Sequence, residues 1–530
     1  MYRTIFFFLT IVNSILLISL PVSAQSDIKN LPEYSLPITN KKLVIAHNMT
    51  NIIRYKGHEL EDSANPKYYS AINNKSAPLG GLTQVKVLTD SLMQNATLDE
   101  AVAFEMKAAI KSGIDGFQFY YVLGAKDWDN IIKAYFRVAD RDKLDFKLTL
   151  CISHPDGSTE DAKISEFAER INGIMDAVGR DNPHWLRTPD GRLVIYLWNG
   201  DGLADIPENQ KGLSKPYYIA RAYKKLADAV HERFACIFTI NEQITSKKLN
   251  QYLDYFPATW IWTMAYTKNY IGEMVANTCA MRNRTFTGSV FGDFYTSKLL
   301  KKGTWDMYHK VEDAVKDGLS KVERRYMVTG LSYNFRKLLE FNISKDVPII
   351  NVITWNDYPE GHHLAPEVNH NYGFSVLLNY YKNIWIKQQN ITKDIVIILF
   401  KKYKHGIKPA PYNIPVYNFQ EGAVNQKVED SIEVVTMFVE PAILKINGET
   451  LPVKSGLVAT RFASKPGAVK VEIWRKNLKI LSLTSTEWIT LKPYRTDLLT
   501  YICSSEDTTY QEYLFGRKQS ADAQYNETIK

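Results

Sequence analysis

Eight short apolar runs, separated by longer amphipathic stretches, constrain this chain more than any other feature. They fall at 43–49, 114–121, 148–153, 193–198, 235–240, 259–264, 326–331 and 348–354. Several of the intervening stretches carry apolar residues at helical spacing: 98–112 behind Thr97 as an N-cap, 163–178, and 216–233 with Pro216 in its first turn. Runs this uniformly apolar are buried on both faces, and strands that alternate with helices pair in parallel. Eight βα units in about 350 residues predict an α/β chain built as a (β/α)8 barrel over 41–395. The competing open, doubly wound sheet usually carries a Gly-rich phosphate turn after its first strand, and none is present. A further apolar piece at 285–291 lies within the long segment 268–323, which leaves the unit count there open.

Beyond residue 410 the texture changes. Pro409, Pro411 and Pro415 mark a linker, and short alternating segments follow at 431–439, 442–446, 458–463, 468–474, 479–484 and 488–491, with Asn447-Gly448 as a turn. Close spacing without helices predicts an all-β sandwich over 415–518. At the other end, Arg3, an apolar run from 5 to 20 and Pro21-Val22-Ser23-Ala24 describe a signal peptide over residues 1–24. The run is shorter than the roughly 20 residues of a membrane span. The mature protein is therefore expected to be secreted or periplasmic, with no membrane span. Cys151, Cys236, Cys279 and Cys503 form no disulfide framework and show no metal-ligand spacing, so no metal and no cofactor are expected. The net charge of +8 is spread along the chain, which reads as a solvated basic surface rather than a nucleic-acid footprint.

Barrels of this type place their chemistry where the strands end. Those ends offer His47, Tyr120, His154 with Asp156, Trp198 with Asp201, Trp262, and the cluster Trp355, Asn356, Asp357, Glu360 and His362. None pairs a nucleophilic Ser or Cys with a base, and none cradles a phosphate. Aromatic faces beside carboxylates and amides are what sugar chemistry requires: rings stack on apolar sugar faces, polar groups read hydroxyls, and two carboxyls cleave the bond. Asp357 and Glu360 are the candidate catalytic pair. His47, Tyr120, His154, Asp156, Trp198, Asp201, Trp262, Trp355, Asn356 and His362 are the candidate substrate-binding residues. Pro359 removes an amide and keeps Tyr358 out of helical geometry, so the chain should turn sharply between the two acids. Which of them is the acid depends on burial, and that assignment stays open.

The segment Trp355-Asn356-Asp357-Tyr358-x-Glu360-x-His362, preceded by Ile353-Thr354, resembles the TWNDYGESHY signature of glycoside hydrolase family 71, the α-1,3-glucanases. Val44-Ile45-Ala46-His47, Gly113-Ile114-Asp115-Gly116-Phe117 and, more loosely, the stretch 326–335 are similar to other pieces of that family in the same order. The resemblance implies a (β/α)8 catalytic domain followed by a β-sandwich. It also implies an inverting endo-hydrolase of α-1,3-glucan whose acid and base fall on Asp357 and Glu360. Pro359, Gly361 and His363 depart from the signature, and Asp156 matches the family's acidic residue after the third strand only with a shift of register. Two alternatives remain: a non-catalytic exported glycan-binding protein, and a barrel glycosidase of other specificity such as an endo-mannosidase. The expected partner is a polysaccharide or oligosaccharide.

Overall fold

The computed structural model describes residues 38–58, 92–208, 215–296, 298–308, 311–367, 369–388, 391–402, 404, 416–418, 426–491 and 498–507. The expected signal peptide and Pro409, Pro411 and Pro415 lie outside them. The first part of the chain is a closed parallel barrel with alternating helices. In chain order its elements are β1 (Leu43–Asn48), α1 (Leu98–Lys111), β2 (Gly116–Tyr121), α2 (Trp128–Asp142), β3 (Lys147–Ser153), α3 (Glu160–Val178) and β4 (Leu193–Trp198). There follow α4 (Lys215–Val230), β5 (Phe234–Ile240), α5 (Ser246–Leu253), β6 (Ala258–Ile261), α6 (Gly272–Met281) and β7 (Thr285–Val290). An insertion then contributes β8 (Leu300–Lys301), α7 (Val311–Asp317) and β9 (Val322–Tyr326) before α8 (Tyr333–Ser344), β10 (Ile349–Val352) and α9 (Gly373–Trp385). The barrel closes in the order β1, β10, β7, β6, β5, β4, β3, β2.

Local chemistry agrees with this architecture. Thr97 and Glu100 form a reciprocal capping box at the start of α1, with Asp99 and Glu100 in its first turn and Lys111 in its last. Strands such as β4, Leu-Val-Ile-Tyr-Leu-Trp, have no polar face because barrel interior and helix layer both cover them.

One strand is corrected. The sequence reading assigns 326–331 to the barrel, but the seventh stave is Thr285–Val290, the piece left open in the count. Val322–Tyr326 instead forms β9, an insertion strand beside β8 and β12 (Val416–Asn418). The charges in Val322-Glu323-Arg324-Arg325-Tyr326 are buried, with Glu323 and Arg325 paired to each other at 3.0 Å, whereas the small residues of Thr-Phe-Thr-Gly-Ser-Val suit a close-packed stave. At Gly288 a Cβ would come within 2.3 Å of the Asn342 side chain, so only Gly fits there. Asn342 of α8 in turn donates to the Ser289 carbonyl at 3.0 Å.

The last part of the chain contains β11 (Ile395–Lys401), the short helix α10 (Gln426–Glu429), β13 (Ser431–Phe438), β14 (Ala442–Ile446), β15 (Glu449–Val453), β16 (Gly456–Ala463), β17 (Gly467–Arg475), β18 (Leu478–Ile489) and β19 (Thr500–Ser504). They make two antiparallel sheets, β16-β13-β11-β19 and β15-β14-β17-β18. Val396, Ile398 and Phe400 share one core with Leu444, Val471 and Ile473 of the facing sheet, as in a sandwich. The alternate residues of β11, Ile397 and Leu399, join the barrel's core instead. This strand falls between the two ranges read from the sequence, and it is apolar throughout because both of its faces are covered. The four cysteines are buried free thiols. Among the described residues no helix is long and apolar enough to cross a membrane.

Candidate active site at the end of the last barrel strand

Beyond β10 the chain is held on both sides. The Trp355 amide donates to His47 O at 2.7 Å, and the Thr354 amide donates to His362 O at 2.9 Å. The Asp357 amide is received by Thr354 Oγ1 at 2.9 Å. Residues Tyr358–Glu360 then form one 3-10 turn with Pro359 in its first positions and the Asp357 side chain as its cap. Asp357 Oδ1 accepts the Glu360 amide at 3.3 Å. Gly361 leaves the turn at φ +72°, and a Cβ there would strike Leu499 and Tyr295. The sharp turn expected from Pro359 is present.

The turn brings both carboxyls to one imidazole. His362 Nε2 lies 3.2 Å from Glu360 Oε2 and 3.8 Å from Asp357 Oδ2. Ligating atoms of Asp357, Glu360 and His362 all fall within 4.8 Å of one another. Lys298, from the insertion after β7, donates to Glu360 Oε1 at 2.6 Å.

This arrangement splits the two acids. Burial alone would raise the Glu360 carboxyl, but the Lys298 ammonium and His362 more than offset it and hold Glu360 well below the usual carboxylate range. Asp357 is raised, first by burial and then by the negative charge of Glu360, with Lys298 and His362 only partly opposing. Burial would lower the Lys298 ammonium, yet Glu360 and Asp357 keep it charged. Asp357 therefore holds a proton more tightly than Glu360 does.

Glu360 and Lys298 face a cavity of about 840 Å³ lined also by His154, Trp198, Trp262, Phe294, Trp305 and Arg325. Trp198 and Trp262 stand 4.9 Å apart, and His154 meets Trp198 edge-on at 4.5 Å. His47 lies beneath them, 5.0 Å from Trp262 and 5.9 Å from Tyr120. Burial lowers the His47 imidazole to about 3, so it is neutral at physiological pH. Burial raises the Tyr120 hydroxyl to about 12, with Asp357 and Glu360 adding to the shift. The structure thus brings His47, Tyr120, His154, Trp198, Trp262 and His362 around the two carboxyls.

It does not bring the others there. The Trp355 side chain is enclosed, and its indole N–H donates to the buried Glu105 carboxylate at 2.6 Å. The Asn356 amide is spent on the backbone of the β1 loop, accepting from Met49 N and donating to the Met49 and Ile52 carbonyls. Asp201 pairs with Lys215 in a turn at the rim, and Asp156 is exposed beside His154. Trp355 and Asn356 hold the loop that carries the carboxyls and offer no surface to a ligand. Replacing Trp355 with Phe is expected to strand Glu105 and to cost about 1–3 kcal/mol of stability, read by urea unfolding.

Lys298, Phe294, Trp305 and Arg325 escape the sequence reading because all four belong to the insertion, whose place in the barrel was unresolved. The Arg325 guanidinium lies 3.9 Å over the Trp305 ring and is paired with Glu323 at 3.0 Å, forming the far wall of the cavity. Among the described residues two groups of side chains have ligand atoms close enough for a metal ion: Asp357, Glu360 and His362, and, deeper in the fold, His363, Glu367 and His370. In the first, the Lys298 ammonium already neutralises Glu360.

No family model matches the chain, and no curated protein matches it in sequence. Among solved structures it is similar to the GH99 endo-alpha-mannosidase from Bacteroides thetaiotaomicron, at 13% identity over 66% of this chain and 99% of that one, with a TM-score of 0.42. A family 2 glycosyl hydrolase from Bacteroides cellulosilyticus aligns at 11% identity over 85% of this chain and 48% of that one, with a TM-score of 0.41. A beta-glycosidase from Bacteroides vulgatus aligns at 9% identity over 84% and 49% of the two chains, with a TM-score of 0.35. At these scores the likenesses carry no functional argument.

Proposed function

We propose that this protein is an exported glycoside hydrolase acting on an α-linked polysaccharide, with Asp357 as proton donor to the glycosidic oxygen and Glu360 as the ionised partner. The observation that carries the reading is the pair itself: two carboxyls of opposite proton affinity meet at one imidazole, at the end of the last barrel strand, beside an aromatic-lined cavity. Splitting two acids in this way is what glycosidic cleavage needs, one to protonate the leaving oxygen and one to face the positive charge that develops at the anomeric carbon. Trp198 and Trp262 offer apolar faces to sugar rings, half-buried Tyr120 offers a hydrogen bond to a hydroxyl, and buried His47 supports the Trp262 ring from below. The α-1,3-glucan specificity rests on the resemblance of the eighth-strand segment. The same resemblance implies inversion of configuration.

The test is hydrolysis of a panel of α-1,3-, α-1,4- and α-1,6-glucans, β-glucans and α-mannans, with the first-formed anomer followed by proton NMR. Release of sugar from an α-glucan supports the reading, with net inversion as the outcome the resemblance implies. Cleavage of mannan alone moves the specificity to the mannosidase alternative, and binding without cleavage by the intact chain contradicts the assignment of an enzyme. Within this reading Trp262→Ala should raise KM for the cleaved glycan by about tenfold, the loss of one stacking surface worth ~1.4 kcal/mol, with a smaller change in kcat. Steady-state kinetics on an oligosaccharide of defined length would check it.

A further inference from the structure

The second cluster lies one residue beyond the first and is used by no step above. His363 follows the loop, while Glu367 and His370 come from the turn that leads into α9, and all three are at least nine-tenths buried. His363 Nε2 stands 3.1 Å from Glu367 Oε1, and His370 Nδ1 stands 3.8 Å from the same oxygen. An ion bound at the 2.0–2.2 Å usual for nitrogen and oxygen ligands of zinc places tetrahedral neighbours about 3.3–3.5 Å apart. The two measured separations bracket that edge. Neither ring nitrogen of His363 makes a hydrogen bond of acceptable geometry, although the ring is enclosed. Its Nε2 has only the Glu367 carboxylate beside it and its Nδ1 has no partner, and an enclosed ring nitrogen without a partner is costly unless something else occupies it.

A carboxylate stands behind His370. Its Nε2 faces Asp293 Oδ2 at 3.5 Å. Asp293 is wholly buried, is paired with Lys401 at 3.4 Å and receives the Thr500 amide. A carboxylate behind a ring nitrogen takes the proton onto that side and leaves Nδ1 with its lone pair, the arrangement by which metal-bound imidazoles are oriented. Nδ1 also lies 3.3 Å from the His363 carbonyl, a bond it makes only as a donor, so binding an ion moves that proton to Nε2 beside Asp293. Glu367 is anchored by the amides of Asn369 and His370, at 2.7 and 2.6 Å.

We propose that His363, Glu367 and His370 form a structural site for a divalent transition metal of the zinc class, with Asp293 orienting His370 from behind. The proposal is independent of the glycosidase reading and departs from the sequence, which led us to expect no metal. The site joins the segment after the carboxylate pair to the start of α9 and, through Asp293, to β11 and β19 of the sandwich. An ion there would fix the turn that carries Asp357 and Glu360 against the second domain.

The experiment uses the full chain, purified without a metal-affinity tag and dialysed against metal-free buffer. Inductively coupled plasma mass spectrometry should find about one zinc-class ion per chain. The ion should be lost in His363→Gln and His370→Gln and kept in Glu360→Gln. Metal-stripped wild-type chain should regain thermal stability on addition of Zn²⁺, and Co²⁺ should give the intense visible absorption of a tetrahedral site. Metal-stripped His370→Gln should melt at the same temperature with or without Zn²⁺. This comparison separates loss of the site from loss of the fold. A wild-type chain that holds no metal and whose melting temperature ignores Zn²⁺ and Co²⁺ would reduce the cluster to a hydrogen-bonded triad and overturn the proposal. So would an ion that survives His370→Gln and is lost in Glu360→Gln, because it would then sit on the carboxylate pair.

Discussion

Glu360→Gln and Asp357→Asn are each expected to lower kcat on a natural glycan by about 10²–10⁴-fold, the usual worth of a positioned acid or base, and to move stability in opposite directions. Glu360 has a folded-state pKa below its unfolded value, so its charge stabilises the fold above the unfolded value near 4.5, and that contribution is lost as pH falls through the depressed pKa. Removing the charge forfeits this contribution at neutral pH and leaves the Lys298 ammonium facing no anion of its own. Asp357 has a raised pKa, so forcing it to ionise costs stability as pH climbs above its unfolded value near 3.8. Its amide variant is relieved of that cost. At neutral pH Asp357→Asn should therefore melt above the wild type and Glu360→Gln below it, read by calorimetry. Two inactive variants with opposite stability shifts are hard to obtain from a pair of ordinary surface carboxylates.

Lys298→Met should move the pH–rate profile to higher pH. Without the ammonium, Glu360 loses the largest influence opposing its burial, its pKa rises, and the acid limb of kcat/KM moves to higher pH. Asp357 loses the same opposing charge, so its pKa also rises and the alkaline limb moves the same way. We expect a loss of about 10²-fold or more at the wild-type optimum, within the range for disabling one member of an acid–base pair. Lys298→Arg should recover part of the shift by restoring the charge. A profile of unchanged position in Lys298→Met would mean that the lysine only packs against the turn.

The barrel was legible because its staves are continuously apolar and its helices are capped and amphipathic, and the sandwich because its strands alternate and its turns are marked. The seventh stave was misread for a physical reason. Thr285–Val290 is built of small and hydroxylated residues that pack against Asn342, a contact between residues far apart in sequence that no local pattern signals. That one shift concealed the insertion, and with it Lys298, the residue that separates the protons of the pair. Asp357 and Glu360 stood out as candidates from their place at a strand end, with Pro359 between them, and from the resemblance of their motif. Trp355 and Asn356 show the limit of the same logic. They sit in the same motif, but burial turned their polar atoms inward to Glu105 and to the β1 loop, and burial is a property of the fold rather than of the segment.

The most direct test of the account compares Asp357→Asn and Glu360→Gln on a natural glycan and on an aryl glycoside of the same sugar with an activated leaving group. A leaving group that departs without protonation has no need of a general acid. The account predicts that Asp357→Asn keeps most of its activity on the aryl glycoside, loses it on the glycan and loses the alkaline limb of its pH profile, whereas Glu360→Gln is impaired on both substrates. The reverse pattern would exchange the two roles, and undiminished cleavage of the glycan by both variants would contradict the catalytic pair altogether.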